Sequence, residues 1–513
     1  MTRLIHRKEQ HMSFLDNLKE EASFTETLNG AKTHASSGDA CLDLFAVAGG
    51  MRHRSYRDQI HLFDRAYIEN PELAMKLLFY IRDIREGLGE RELFRNLIRH
   101  TAKTWPESAR KNIALISEYG RFDDLMCLMG TPSEKAVVEL IRTQLNQDCE
   151  ALKERKAGNI NAHISLLAKW LPSINTSSAR KRGQAKVLAS ALGMGAGQYR
   201  KLLSTLRANI ALTERYLTSQ KLDKINYEAV PAGAMLKYHK SFHQQDAERF
   251  SKFLSDVDNG QKSIHCGTLY PYEILRPLMS HGRILPHCEP DAANAALETL
   301  WNQQTSKVCE QNAISVIDVS GSMYCHRYGT PSPALISQAL GLYHAEHCTG
   351  TFHNTFITFS STPELVEIHG RTLEEKLRYI QSSKWEFSTN LEAVFDLILR
   401  TAVNAGTPQE EMPSTLFIIS DMEFDSAMKN PDKTIYDNAK AAFEAKGYHL
   451  PAVVFHNVNS WQMQTPVRSH TRGTALASGA GTNSFNYKFD GNITPMDHML
   501  RVLTSPRYAA VHA

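Results

Sequence analysis

The 513-residue sequence has eight cysteines but no Cys-x-x-Cys pair. That spacing argues against a zinc ribbon or a dense disulfide framework, and it fits a reducing, cytoplasmic setting. No apolar run approaches the roughly 18 residues of a membrane span, so no membrane contact is expected. The basic residues of Met1 to Lys8 have no apolar run behind them, so no secretory signal is expected either. His-Glu-x-x-His, Gly-x-Ser-x-Gly and a P-loop are absent, and an enzyme is not expected. Acids are scarce in one stretch. From Ala151 to Ile210 there are eleven Lys or Arg and one acid, Glu154. From Gln311 to Thr465 the balance reverses, with ten basic and seventeen acidic residues. This asymmetry predicts separate modules and an anionic partner for the basic one.

Three segments follow from texture. Residues 1–40 read as a polar leader, broken by Gly30 and Ser36-Ser37-Gly38. Residues 41–300 read as all-α. Tyr56, Ile60, Phe63 and Tyr67 fall on one helical face, and Leu73, Leu77, Leu78, Ile81 and Ile84 on another. Further helices are expected at 90–104, 106–119, 132–156, 162–170, 178–192, 198–218 and 246–258. Short connections stack such helices as a bundle or a solenoid, although no repeat of fixed period is present. Residues 301–513 alternate strands and helices, which predicts a doubly wound parallel α/β sheet. Strands are expected at 313–319, 354–359, 415–420 and 450–455, with a polar edge run at 364–368. The Ser/Gly/Thr/Asn-rich stretch from Arg468 to Asp490 reads as a long surface loop.

The first of these strands ends in Asp318-Val319-Ser320-Gly321-Ser322. Ligands of open α/β sheets bind outside the carboxyl ends of the strands. Hard divalent cations take oxygen ligands, and Asp-x-Ser-x-Ser offers three at one turn. Thr389, at a helix start, and Asp421, at the end of another strand, are expected at the same edge. The candidate set is therefore Asp318, Ser320, Ser322, Thr389 and Asp421. Mg²⁺ suits it best, with Mn²⁺ or Ca²⁺ as alternatives.

Asp318-Val319-Ser320-Gly321-Ser322, Thr389 and Asp421 resemble the metal-ion-dependent adhesion site of von Willebrand factor A domains. The resemblance implies a Rossmann-like A domain from about Asn312 onward. Trp385-Glu386-Phe387-Ser388 departs from it, since many relatives carry glycine ahead of the threonine. Phe79 to Arg91, Ala168-Lys169-Trp170-Leu171-Pro172, Tyr199 to Leu203 and Leu269-Tyr270-Pro271-Tyr272 resemble an uncharacterised family that joins a helical region to an A domain. That architecture is similar to the TROVE proteins, such as the Ro autoantigen. The similarity implies HEAT-like helical repeats and binding of small noncoding or misfolded RNA.

Arg180, Lys181, Arg182, Lys186, Arg200, Lys201 and Arg207 are the candidate RNA-binding residues, because Lys and Arg neutralise phosphates. Trp170 and Tyr199 are candidates for stacking on bases. The alternative is a protein-interaction module in which the metal docks an acidic residue of a partner, for example a ring ATPase. A monomer is expected. Gly193 to Gly197 reads as a helix–helix turn, since no strand precedes it. His344, His347, Cys348 and His353, and likewise His239 and His243, read as polar packing, because nothing completes a tetrahedral metal shell.

Overall fold

The computed structural model describes positions 14 and 18 and residues 21–513, except 211, 281–282, 285–293, 305–307, 309–311, 327–328, 384 and 386–387. The chain opens with a two-stranded antiparallel ribbon, β1 (Phe24–Glu26) and β2 (Lys32–His34). Residues 40 to 302 are mainly helical, with one two-residue strand pair, β3 (Met279–Ser280) and β4 (Arg283–Ile284). The rest is built on a six-stranded sheet: β5 (Ala313–Ile317), β6 (Thr355–Thr358), β7 (Leu365–Glu367), β8 (Thr415–Ser420), β9 (Ala452–Asn457) and β10 (Thr474–Ser478). Its order is β10-β9-β8-β5-β6-β7. Every neighbour pair is parallel except the edge pair β6–β7.

Local signals account for most helices. Ser55 caps Tyr56–Glu69, and Asn70 caps Pro71–Arg82 with proline in the first turn. Each such cap is worth about 1 kcal/mol. Three expected helices are shorter or broken. Residues 106–119 split into Pro106–Asn112 and Ile116–Tyr119, 162–170 shrinks to Leu167–Trp170, and 198–218 becomes Ala196–Ala208 and Thr213–Thr218.

Every residue of β5, β8, β9 and β10 is buried, as befits parallel strands covered on both faces. One face takes Pro333–His347, and Ala232–Gln245 and Ala247–Asp258 of the helical half join the same core by way of Ala295–Asn302. The other takes Leu391–Ala405, Ile435–Ala445 and Pro495–Leu503, together with the first helices of the chain. The helical half and the sheet therefore share their apolar core.

Two expectations from sequence are corrected here. The stretch from Arg468 to Asp490 is not one surface loop, since it contains β10, paired with β9 and fully buried. Its residues, Thr-Ala-Leu-Ala-Ser, lack the β-branched and aromatic signature of a strand. They are small because Ala40–Val47 and Pro495–Leu503 pack on them. The leader is likewise not loose throughout, because residues 24–34 form the ribbon.

The junction is tight. A Cβ on Gly49 would lie 2.3 Å from the backbone nitrogen of Gly479. The Gly49 N–H donates to Ser478 Oγ at 3.0 Å, and Ser478 Oγ donates to the Phe45 carbonyl at 3.0 Å. Nearby, fully buried Asp83 accepts from Arg507 Nε at 2.7 Å, Arg507 Nη2 at 3.1 Å and Tyr508 OH at 3.3 Å. The Phe79 to Arg91 stretch is thus a clamp on the end of the chain. Gly49→Val is expected to cost about 3 kcal/mol or more, the upper range of overpacking, because backbone rather than a flexible side chain blocks it. A urea midpoint equal to that of the parent would contradict this.

Candidate functional site

The carboxyl edge of β5 and β8 gathers Asp318, Ser320, Ser322 and Asp421. Asp318 is fully buried. Its Oδ1 accepts from the Ser320 N–H at 2.8 Å and its Oδ2 from Ser420 Oγ at 2.6 Å. Ser320 Oγ and Ser322 Oγ are 3.2 Å apart, and the Ser322 hydroxyl reaches the Asp421 carboxylate. Asp421 Oδ1 accepts from the Glu423 N–H at 3.2 Å. The turn between them puts Met422 in the left-handed region, φ 66°, which costs a non-glycine residue about 1–2 kcal/mol. Two bonds hold it there: the one to Glu423 and a 3.0 Å bond from the Met422 N–H to Ser420 Oγ.

The electrostatics are one-sided. No ion pair among the described residues involves Asp318 or Asp421. Burial pushes Asp421 up to about 7, and the neighbouring Asp318 adds to the rise. Burial also raises Asp318. Asp421 Oδ2, Ser360 Oγ and Ser388 Oγ are buried at this edge without a hydrogen-bond partner. Two carboxylates, several hydroxyls and orphaned oxygens with no cation among them are a donor set that fits a hard divalent ion. Among the described residues no three His, Cys, Asp or Glu side chains gather as a metal-binding group.

Thr389 lies beside this edge with its hydroxyl engaged. Thr389 Oγ1 is 2.8 Å from the Glu423 carbonyl, 2.8 Å from Asp425 Oδ1 and 3.0 Å from Asn29 Nδ2. Sequence reasoning missed Asn29, Ser420, Glu423 and Asp425. The spacing Ser420-Asp421-x-Glu423-x-Asp425 was a usable signal for three of them. Nothing local marked Asn29, which arrives from the ribbon.

The basic candidates divide. Arg180, Lys181 and Lys186 on Ala179–Ala191, and Arg200 and Lys201 on the packed neighbour Ala196–Ala208, are exposed. None of the five has an ion-pair partner among the described residues. Arg182 donates to the Thr176 and Ser177 carbonyls. Arg207 donates to Ala168 O, Leu171 O and Ser173 Oγ, bracing the 168–173 turn. Tyr199 is buried, its hydroxyl on the Pro172 carbonyl, so it does not face a base. Trp170 carries the Arg121 guanidinium 4.0 Å above its ring. His344 bonds to Ser315, and His347 and His353 to main-chain carbonyls. No helix among the described residues is long and apolar enough to cross a membrane.

Residues 312–495 match the family described as Domain of unknown function (DUF7788), and residues 27–129 and 194–316 match Domain of unknown function (DUF2828). The chain is 27% identical over 521 residues to uncharacterized protein L728 of Acanthamoeba polyphaga mimivirus, covering 94% of this chain and 87% of that protein. Among solved structures it is similar to the Ro (RSR) protein of Deinococcus radiodurans. That similarity has a TM-score of 0.47 and 14% identity, and covers 88% of this chain and 99% of the other.

Proposed function

We propose that the chain is an RNA-binding protein, not an enzyme, of TROVE/Ro-like architecture, with a von Willebrand A-like domain holding a divalent cation. One observation carries the RNA reading: five exposed cations on two packed helices with no acid among the described residues paired to them. Such a surface attracts phosphate and gains entropy by releasing counterions. Ser320, Ser322, Asp318, Asp421 and, after rearrangement, Thr389 would hold the ion, most naturally Mg²⁺. Bound there, the ion supplies the positive charge that this edge lacks.

Replacing Arg180, Lys181, Arg200 and Lys201 together by alanine should weaken binding to a structured RNA and flatten its salt dependence. Each lost phosphate contact removes about 0.7–0.9 from the slope of log affinity against log salt, so about 3 in all. An unchanged slope would remove this face from the binding surface. A second reading, docking of a partner's acidic side chain through the ion, is favoured by Leu28 and Met428. These are 65% and 83% exposed in the two loops that flank the site. A partner seated there would bury them.

A further inference from the structure

The ribbon reaches the candidate metal centre from about 360 to 400 positions away in sequence. Its loop makes four bonds to the segment after β8. Thr27 Oγ1 donates to the Phe424 carbonyl at 2.6 Å, and the Leu28 N–H donates to Glu423 Oε2 at 2.7 Å. Asn29 Nδ2 donates to the Glu423 carbonyl at 2.7 Å, and the Ser426 N–H donates to the Asn29 carbonyl at 3.3 Å. Gly30 and Asp425 add a β-bridge.

The chemistry of one oxygen decides what this contact does. A threonine hydroxyl has one proton and two lone pairs, and so three directions besides its own carbon. At Thr389 the proton and one of the two lone pairs are taken. The Glu423 carbonyl and Asp425 Oδ1 compete for the proton, and the Asn29 amide occupies a lone pair. An ion binds a hydroxyl through its lone pairs, and of the three partners only the Asn29 amide competes for one. Glu423 and Asp425 sit on the Asp421 loop itself, and the Asp425 carboxylate also anchors the Thr389 N–H at 2.8 Å. Asn29 is exposed and comes from a separate element, so it can leave without disturbing the other ligands.

We propose that Asn29 is a positioning residue for the metal centre: its amide keeps Thr389 off the ion, and the 27–30 loop is a latch whose release completes the ligand shell. The proposal rests on the metal-site reading above. It makes the N-terminal ribbon a regulatory element. Whatever draws the ribbon away raises the affinity for the ion, and the ion in turn loosens the ribbon, since the coupling is reciprocal.

The test is calorimetric titration of the full chain with Mg²⁺ and Mn²⁺ in the parent, Asn29→Ala, Thr389→Ala and the double variant. Asn29→Ala should tighten binding by roughly fivefold or more, the lower range of site-to-site coupling. In the double variant Thr389→Ala should erase that gain. Saturating Mg²⁺ should also speed hydrogen exchange of amides 24–34 in the parent, a readout that a purely structural Asn29 would not move. If Asn29→Ala binds as the parent does or more weakly, while Asp318→Ala loses binding, the latch is wrong and the metal site stands. If neither the parent nor Asn29→Ala binds either ion at millimolar concentration, both fall.

Discussion

Asp318→Ala is expected to weaken Mg²⁺ and Mn²⁺ binding by at least about a hundredfold, ~2.8 kcal/mol, without unfolding the chain. A carboxylate a few Å from a divalent ion contributes several kcal/mol even at an effective dielectric of about 20. Asp318 and Asp421 are the two full charges in the candidate set. In the parent, ion binding adds RT ln(1 + [L]/Kd) to stability, ~2.7 kcal/mol at a hundred times Kd. The melting temperature should therefore climb with ion concentration, and the variant should lose that climb. Without the ion two effects oppose. Removing Asp318 relieves its repulsion with Asp421, but it strands the Ser320 N–H and Ser420 Oγ, at about 1–3 kcal/mol. Asp318→Asn separates them, since it keeps an acceptor and drops the charge. The ion-free Asp318→Asn protein should melt at or above the parent. Equal ion affinity in the parent and Asp318→Ala, measured by calorimetry, would remove the metal assignment.

Acidification should begin to destabilise the protein well above the pH at which ordinary carboxylates titrate. His344, His456 and His498 are each at most 2% exposed. Burial lowers His456 to about 4 and His344 and His498 to about 3. An unfolded histidine takes its proton near 6.5. The stability these groups contribute is complete above 6.5 and is lost as pH falls from there toward 4 and 3. Each costs ~1.4 kcal/mol per pH unit across that window, so three cost about 8 kcal/mol at pH 4.5. That is the size of a whole folding free energy. In ion-free protein the raised Asp421 acts in the opposite sense, gaining stability as pH falls through about 7. A difference measurement cancels it. His498 lies among Phe45, Tyr487 and Phe489, so His498→Phe preserves shape and removes one titration. The slope of unfolding free energy against pH between 6 and 4.5 should fall by ~1.4 kcal/mol per pH unit. An unchanged slope in the variant would exclude His498 as a source of the acid response.

What could be read from the sequence was what is local. Asp318, Ser320 and Ser322 fall within one turn, and the apolar runs before Asp318 and Asp421 mark β5 and β8 without ambiguity. Parallel pairing then brings both turns to one edge, which topology alone dictates. The basic stretch was equally visible as composition, but composition does not distinguish an exposed cation from one spent on carbonyls. Arg207 and Arg182 are of the second kind, and only the fold shows it. β10 was hidden because its burial comes from helices elsewhere in the chain rather than from its own side chains. Asn29 was hidden for the same reason: its meaning lies in Thr389, 360 positions away.

The long reach of the ribbon and of Ala40–Val47 also bears on how the protein is made. All eight residues of that helix are buried, and the sheet strand it packs on is β10. The ribosome therefore releases residues 24–47 long before β10 and the loop after β8 exist, although Tyr56–Glu69 can cover part of the helix early. At about 5–20 residues per second the wait is on the order of tens of seconds. During it the helix face that meets β10 and the ribbon loop that meets the segment after β8 lack their partners. A ribosome-bound chaperone would find these surfaces uncovered until β10 has been made.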